Sequence, residues 1–359
     1  MTAADLRERC AALIARLADG SRDDSARDAL LDELARAQAE RVPSYAKFLG
    51  SEPRRPNGRL PALPTDVFRY ARVAAHDASE DVRVFKTSGT TVGDRGAHAF
   101  RDLSLYDLAA RSFARRMLFP DRERMRLLIL APTEANLSDS SLSYMLARFL
   151  DWFGTPQSAY VFAGNQLDAK ALAHALEHAE RDSEPVALLG TSFAFVHAHD
   201  ALPGRAFRLP HGSRIMQTGG FKGRSRSVEP AQMIELLSAQ YGIPPAWIVQ
   251  EYGMTELSSQ LYETTLREAA LSLPATSRRL CVPGWVRAEP IDPDTLQPAA
   301  PGEVGLLRID DLANFDSVCA IQTSDLARRE GDGLVVLGRA QGAIPRGCSI
   351  AVDEWRNKP

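Results

Sequence analysis

The chain has 359 residues, 45% of them apolar and 25% charged, with a net charge of -3. Those are the proportions of a globular protein with a large core, and arginines interspersed with acids leave no basic footprint for nucleic acid. No apolar run reaches the roughly 20 residues needed to span a bilayer. Acids interrupt the N-terminus where a signal peptide would be continuously apolar, so a cytoplasmic protein is expected.

Residues 1–50 are expected to form a helical segment. Leu6, Cys10, Leu13, Ile14 and Leu17, then Leu30, Leu31 and Leu34, recur at spacings of three and four, with a break and cap near Ser21–Asp24. A proline-rich passage follows, including Leu60-Pro61-Ala62-Leu63-Pro64 and Val67-Phe68. Prolines pre-set an extended course, which suggests a stiff linker. From Val84 the pattern reads strand, loop, helix, repeated: aliphatic runs at Leu127–Leu130, Ala159–Phe162, Val186–Leu189, Arg214–Gln217 and Trp247–Gln250 alternate with amphipathic stretches. This predicts an α/β core over residues 51–270 with a mostly parallel sheet flanked by helices, and ligands at the carboxyl ends of its strands. From 271 to 339 short alternating runs at Val282–Ala288, Gly302–Ile309 and Gly333–Gly338 predict a small β-rich subdomain. Residues 340–359 form a short tail.

The run Thr87-Ser88-Gly89-Thr90-Thr91-Val92-Gly93 is rich in hydroxyls and glycines. It reads either as a phosphate-holding loop, with backbone N–H groups converging on an anion, or as a polar turn; no Gly-Lys-Ser/Thr closes it as in the Walker pattern. Four cysteines, Cys10, Cys281, Cys319 and Cys348, lack paired or metal-ligand spacing. The first three sit in apolar runs and read as core. His98 and His197 could line a ligand pocket or be satisfied core histidines, and Phe193 and Phe195 would make such a pocket apolar.

Taken together, Thr87–Gly93, Glu251-Tyr252-Gly253-Met254-Thr255-Glu256, Thr323-Ser324-Asp325 and Gly338-Arg339, in that order, resemble the adenylate-forming ligases that include acyl-CoA synthetases and luciferases. Within that superfamily the Leu60–Pro64 passage, the Gly219-Gly220-Phe221-Lys222 segment and the short C-terminus resemble the LuxE acyl-protein synthetases over roughly residues 40 to 355. The resemblance implies the large N-terminal domain of those ligases and expects their mobile C-terminal lid domain to be absent. It also implies ATP-dependent activation of a carboxylic acid, fatty or otherwise apolar, to an acyl adenylate, followed by transfer to a protein thiol.

By the same resemblance Thr87, Ser88, Gly89, Thr90, Thr91 and Gly93 hold phosphates, Thr255 meets the α-phosphate and Glu256 holds Mg2+. Tyr252 and Gly253 with Gly219 and Gly220 border the adenine, and Asp325 and Arg339 meet the ribose or phosphates. Lys222 is a surface lysine or a substitute for the lysine of the absent lid. Cys348, between Arg346 and Ser349, is an incidental cysteine or the thiol that takes the acyl group, since nearby positive charge favours a thiolate. The final acceptor would be a partner protein such as a reductase or carrier. Transfer to a small amine or a CoA-like thiol is the alternative, as is a nucleotide-binding scaffold that has lost catalysis.

Overall fold

The computed structural model describes residues 2–51, 59–88, 95–219 and 229–340. The N-terminal helices are α1 (Ala3–Arg16), α2 (Asp24–Arg41) and α3 (Pro43–Ser51). Asp23 caps α2, its carboxylate accepting from Ala26 N at 3.0 Å. Leu6, Cys10, Leu13 and Ile14 of α1 and Leu30, Leu31 and Leu34 of α2 are buried, as their spacing predicted.

The proline-rich passage does more than span a gap. Its strand β1 (Leu63–Pro64) pairs in parallel with a strand near the C-terminus, Leu63 opposite Ile321. Proline can sit there because an edge strand does not need every donor. The one-turn helix α4 (Val67–Tyr70) follows.

Next come the antiparallel pair β2 (Arg83–Lys86) and β3 (Ala97–Phe100), the helix α5 (Ser104–Met117), strand β4 (Arg126–Leu130) and helix α6 (Ser141–Phe153). The short strands β5 (Ala159–Tyr160) and β6 (Phe162–Ala163) divide the run that reads as one strand in sequence, and β7 (Gln166–Leu167) pairs with β6. Helix α7 (Ala169–Asp182), strand β8 (Val186–Thr191), helix α8 (Ser192–Ala201), strand β9 (Arg214–Thr218), helix α9 (Pro230–Tyr241) and strand β10 (Ile248–Tyr252) complete the alternating part. Beyond it lie β11 (Leu261–Glu263), α10 (Thr265–Ala270), β12 (Leu280–Cys281), β13 (Val286–Ile291), β14 (Val304–Asp311), β15 (Ala320–Glu330) and β16 (Gly333–Arg339).

Among the described residues the main sheet has the order β13-β14-β15-β16-β12-β11-β10-β9-β8-β4-β5, with β1 on β15. The stretch β10-β9-β8-β4-β5 is parallel. Every residue of β4 and β9 is buried, so both faces of the sheet are covered there, and that is why Leu127–Leu130 of β4 reads as an unbroken aliphatic run. The α/β class is as expected. The β-rich texture after residue 271 is also present, but its strands do not form a sheet of their own: β11 pairs antiparallel with β10, and β12 and β16 continue the same sheet. One buried apolar cluster runs from Leu6 to Leu334. No described helix is long and apolar enough to cross a membrane.

Candidate functional site

Lys86 does not lead through a loop into a helix. The chain returns antiparallel, Phe85 opposite His98 and Lys86 opposite Ala97, so the Ser/Thr/Gly run joins two paired strands. The alternation that makes β3 a strand places His98 and Phe100 against Phe85 and Phe68 (His98–Phe100 ring centroids 4.2 Å apart). The base of the hairpin is pinned. Thr87 N donates to Gly96 O at 2.9 Å, and Gly96 N donates to Thr87 Oγ1 at 2.9 Å. The Arg95 guanidinium donates to the carbonyls of Thr87 and Lys86 and to Asp139 Oδ2 at 2.7 Å, while Asp139 O accepts from Lys86 N at 2.7 Å. Ser88 is exposed at the loop's start; Gly89, Thr90, Thr91 and Gly93 lie outside the described residues.

Three parallel strands end side by side, with Thr191, Thr218 and Glu251 in register. Just beyond β9, Gly219 has φ +77°, the left-handed region that disfavours side chains. Ser192 Oγ donates to its carbonyl at 2.9 Å. Gly220 and Lys222 lie outside the described residues.

Glu251 is buried and accepts a hydrogen bond from Thr218 Oγ1. Burial pushes its carboxyl up to about 7, against the lowering effect of that bond. Two residues on, a Cβ at position 253 would lie 2.3 Å from Glu251 Oε1, so a side chain there would push the Glu251 carboxylate aside. Sequence reasoning quoted Glu251 only as part of a motif. The signal was a charged residue continuing the strand Trp247-Ile248-Val249.

Tyr252, between these two, points to the other side of the strand. Its hydroxyl donates to Asp325 Oδ2 at 2.8 Å. Burial, then the Asp325 charge, raises the phenol well above its ordinary value, so it stays a donor. Asp325 faces Arg339 across β15 and β16, with Oδ1 3.6 Å from Arg339 Nε. The Arg339 side chain is 65% exposed, so this pair adds little to stability and leaves a cation at the edge of the site. Asp325 N is held by Thr323 Oγ1 at 3.1 Å.

The turn after Tyr252 is clamped through its backbone. His98 Nδ1 lies 2.8 Å from Thr255 O and Nε2 2.8 Å from Ser317 Oγ. Because a carbonyl can only accept, Nδ1 carries the proton and Nε2 accepts from the serine. Burial lowers the imidazole to about 4, so it is neutral. Asn314 Nδ2 donates to Glu256 O at 2.9 Å and Val318 O at 3.2 Å. Asp311 accepts from Ser258 N at 3.3 Å, Ser259 Oγ at 2.9 Å and Ala313 N at 2.9 Å; burial raises its carboxyl to about 6 despite these bonds. Glu256 itself is buried. The segment Asp311–Val318 thus grips residues 255–259, a role with no signature in sequence beyond dense polar residues between two strands.

The four proposed pocket residues separate. His98 is 1% exposed with both ring nitrogens occupied, so it packs rather than lines an acyl pocket. Phe193 and Phe195 are two apart on α8, about 200° around a helix: Phe193 is 40% exposed, whereas Phe195 is buried near Tyr241. His197 stacks on Phe193, ring centroids 6.3 Å apart. Phe193 and His197 therefore share the open face of α8, and Phe195 belongs to the core. Cys10 and Cys319 are buried and Cys281 mostly so. Burial raises all three thiols, Cys10 to about 12, so none is a nucleophile. Cys348 lies outside the described residues.

A family profile described as acyl-protein synthetase, LuxE matches residues 57–355. The chain belongs to the LuxE acyl-protein synthetase family. It is similar to a long-chain-fatty-acid–luciferin-component ligase of Aliivibrio fischeri, 24% identical over 309 residues that cover 82% of this chain and 78% of that one. The protein of the same name from Vibrio harveyi is 21% identical over the same shares. Among solved structures, 2-hydroxyisobutyryl-CoA ligase in its postadenylation state with 2-HIB-AMP matches with a TM-score of 0.65 at 15% identity, over 90% of this chain and 69% of that one. ATP-bound MatB from Rhodopseudomonas palustris matches with a TM-score of 0.51 at 16% identity, over 75% and 50%. These likenesses establish the adenylate-forming-ligase fold. As a family member the chain is an ATP-dependent ligase that activates a carboxylic acid as its acyl adenylate and passes the acyl group to a protein thiol.

Proposed function

We propose that this synthetase activates a long-chain fatty acid and loads it first on Cys348 and then on a partner protein such as a reductase, in the cytoplasm. The acid's class is supported by the names of the two bacterial relatives and by the exposed Phe193 beside the carboxyl edge of the sheet. The observation that carries the nucleotide reading is the Tyr252–Asp325 hydrogen bond, which joins two motifs 73 residues apart in one corner. ATP lies there with adenine against Tyr252, Gly253 and the Gly219–Gly220 backbone. Asp325 accepts from ribose hydroxyls, with Arg339 exchanging its long contact for a phosphate or ribose oxygen.

The loop Thr87–Gly93 holds the β- and γ-phosphates, and Thr255 the α-phosphate. Among the described residues no three His, Cys, Asp or Glu side chains form a metal cage. A single buried carboxylate, Glu256, suits Mg2+, which completes its shell with phosphate oxygens and water; the ion would neutralise phosphate charge. The substrate carboxylate attacks the α-phosphorus, the bond to pyrophosphate breaks, and Lys222 contacts the reacting carboxylate or α-phosphate. The Cys348 thiolate then attacks the acyl carbon and AMP leaves.

ATP–pyrophosphate exchange against straight-chain acids from acetate to palmitate tests the first half; exchange confined to the short acids would overturn the assigned acid class. Intact-mass detection of an acyl adduct tests the second. The wild type should gain the acyl mass and Cys348→Ser should not, while Lys222→Ala should lose exchange. An acylated Cys348→Ser protein removes the thiol assignment, and undiminished exchange by Lys222→Ala removes that of the lysine.

A further inference from the structure

We propose that His98 is a positioning residue for adenylation, holding the Thr255–Glu256 turn at a fixed distance from the phosphate hairpin; the proposal rests on the site reading above. Three separate stretches of chain meet at this ring. His98 belongs to β3, the returning arm of the hairpin, and lies opposite Phe85, two residues before Thr87. Its Nδ1–H donates at 2.8 Å to the carbonyl of Thr255, and its Nε2 accepts at 2.8 Å from Ser317 Oγ in the segment that also holds Glu256 O through Asn314.

The ring cannot easily turn away. It stands edge-on to Phe68 at 5.6 Å and 4.2 Å from Phe100, and the backbone of His98 bridges to Val73. A rigid ring bonded at both nitrogens therefore works as a strut: one end is built into the hairpin, the other fixes the peptide of the residue that meets the α-phosphate. In-line attack at phosphorus depends on such spacing, because a misplacement of about 1 Å can cost about a hundredfold in rate. His98 touches no substrate atom; it acts through the Thr255 peptide.

Asparagine and glutamine separate the two bonds. The amide nitrogen of His98→Asn falls near Nδ1 and keeps the bond to Thr255 O, whereas the carboxamide of His98→Gln falls near Nε2, where its oxygen accepts from Ser317 Oγ and no donor reaches Thr255 O. ATP–pyrophosphate exchange is measured with the acid the wild type activates fastest, together with thermal unfolding of each variant. His98→Gln should lower kcat for exchange by up to about a hundredfold, the cost of a misplacement of about 1 Å, with KM for the acid unchanged. His98→Asn should recover most of the loss although it removes the same ring. Equal losses in the two folded variants, or wild-type exchange by His98→Gln, would overturn the proposal. Should either variant fail to fold, Ser317→Ala takes its place: freeing the outer end of the strut should lower kcat severalfold without moving the KM for the acid, and a wild-type rate would overturn the role. A wild type that exchanges with no acid would instead count against the proposed function itself, so the two failures are distinguishable.

Discussion

Glu251 keeps a proton that an unfolded chain gives up. Its carboxyl titrates near 7 in the fold against an ordinary value of 4.5 because it is buried between Thr218 and Tyr262. Folding therefore takes up a proton between those values: the neutral form is favoured in the fold, and the stability it contributes is present below about 4.5 and lost as pH rises toward 7. The loss amounts to about 3 kcal/mol at most. His98 has the opposite sign. Its imidazole is held near 4 against an ordinary 6.5, so its contribution fades as pH falls through that window. The two partly offset in the wild type, so the measurement is a difference. Glu251→Gln, which imitates the protonated acid, should be nearly neutral at pH 5 and stabilising at pH 8 in urea denaturation. A wild-type-minus-variant difference that is flat with pH would contradict this reading.

At the scale of elements, Asp311–Val318 fastens the turn at residues 255–259. Asn314→Ala deletes both carbonyl contacts of the buried carboxamide, to Glu256 O and to Val318 O. It should cost about 2 kcal/mol, from the loss of two buried hydrogen bonds, and should reduce exchange activity. Urea midpoints and exchange rates check both. Little of this element was legible in sequence. Leu127–Leu130 and Val186–Leu189 could be read as strands because a strand buried on both faces leaves an uninterrupted aliphatic run. Asn314 could not be read, because its acceptor at Glu256 is 58 residues away and a polar side chain says nothing of where its partner lies. The hairpin after Lys86 was missed because a four-residue return strand, Ala97–Phe100, is too short for its alternation to outweigh the expectation of a helix. The split of Phe193 from Phe195 follows from helical geometry once Ser192 starts a helix.

At the scale of the molecule, strands from both sides of residue 271 share one sheet, and side chains tie the two stretches together. Gln38 of α2 donates to the carbonyls of Asn314 and Phe315 at 2.7 and 3.2 Å and accepts from Cys319 N at 2.8 Å. Asp310 gathers Arg59, Arg287 and Arg308 within 3.0 Å, and their charges hold its carboxyl well below its ordinary range although burial alone would raise it. Arg59 also pairs with Glu289 at 2.7 Å. A fragment of residues 1–270 would lose the strand that β1 pairs with, expose the edge of β11 and strand Gln38 and Arg59 without these partners. It should lack a cooperative unfolding transition by circular dichroism; a fragment that melts cooperatively would make residue 271 a domain limit.

Trp285 gives the site a voice that can be heard without substrate turnover. It is fully buried against Phe113, and its indole N–H donates at 2.9 Å to Ser259 Oγ, three residues past Glu256. That serine in turn donates to Asp311. Any shift of the turn on binding nucleotide changes the polarity around one indole among four tryptophans. Titration with ATP should change the intrinsic fluorescence of the wild type, and Trp285→Phe should abolish the change while leaving the emission of the other three. The core of this synthetase thereby contains its own binding assay, independent of knowing which acid it activates.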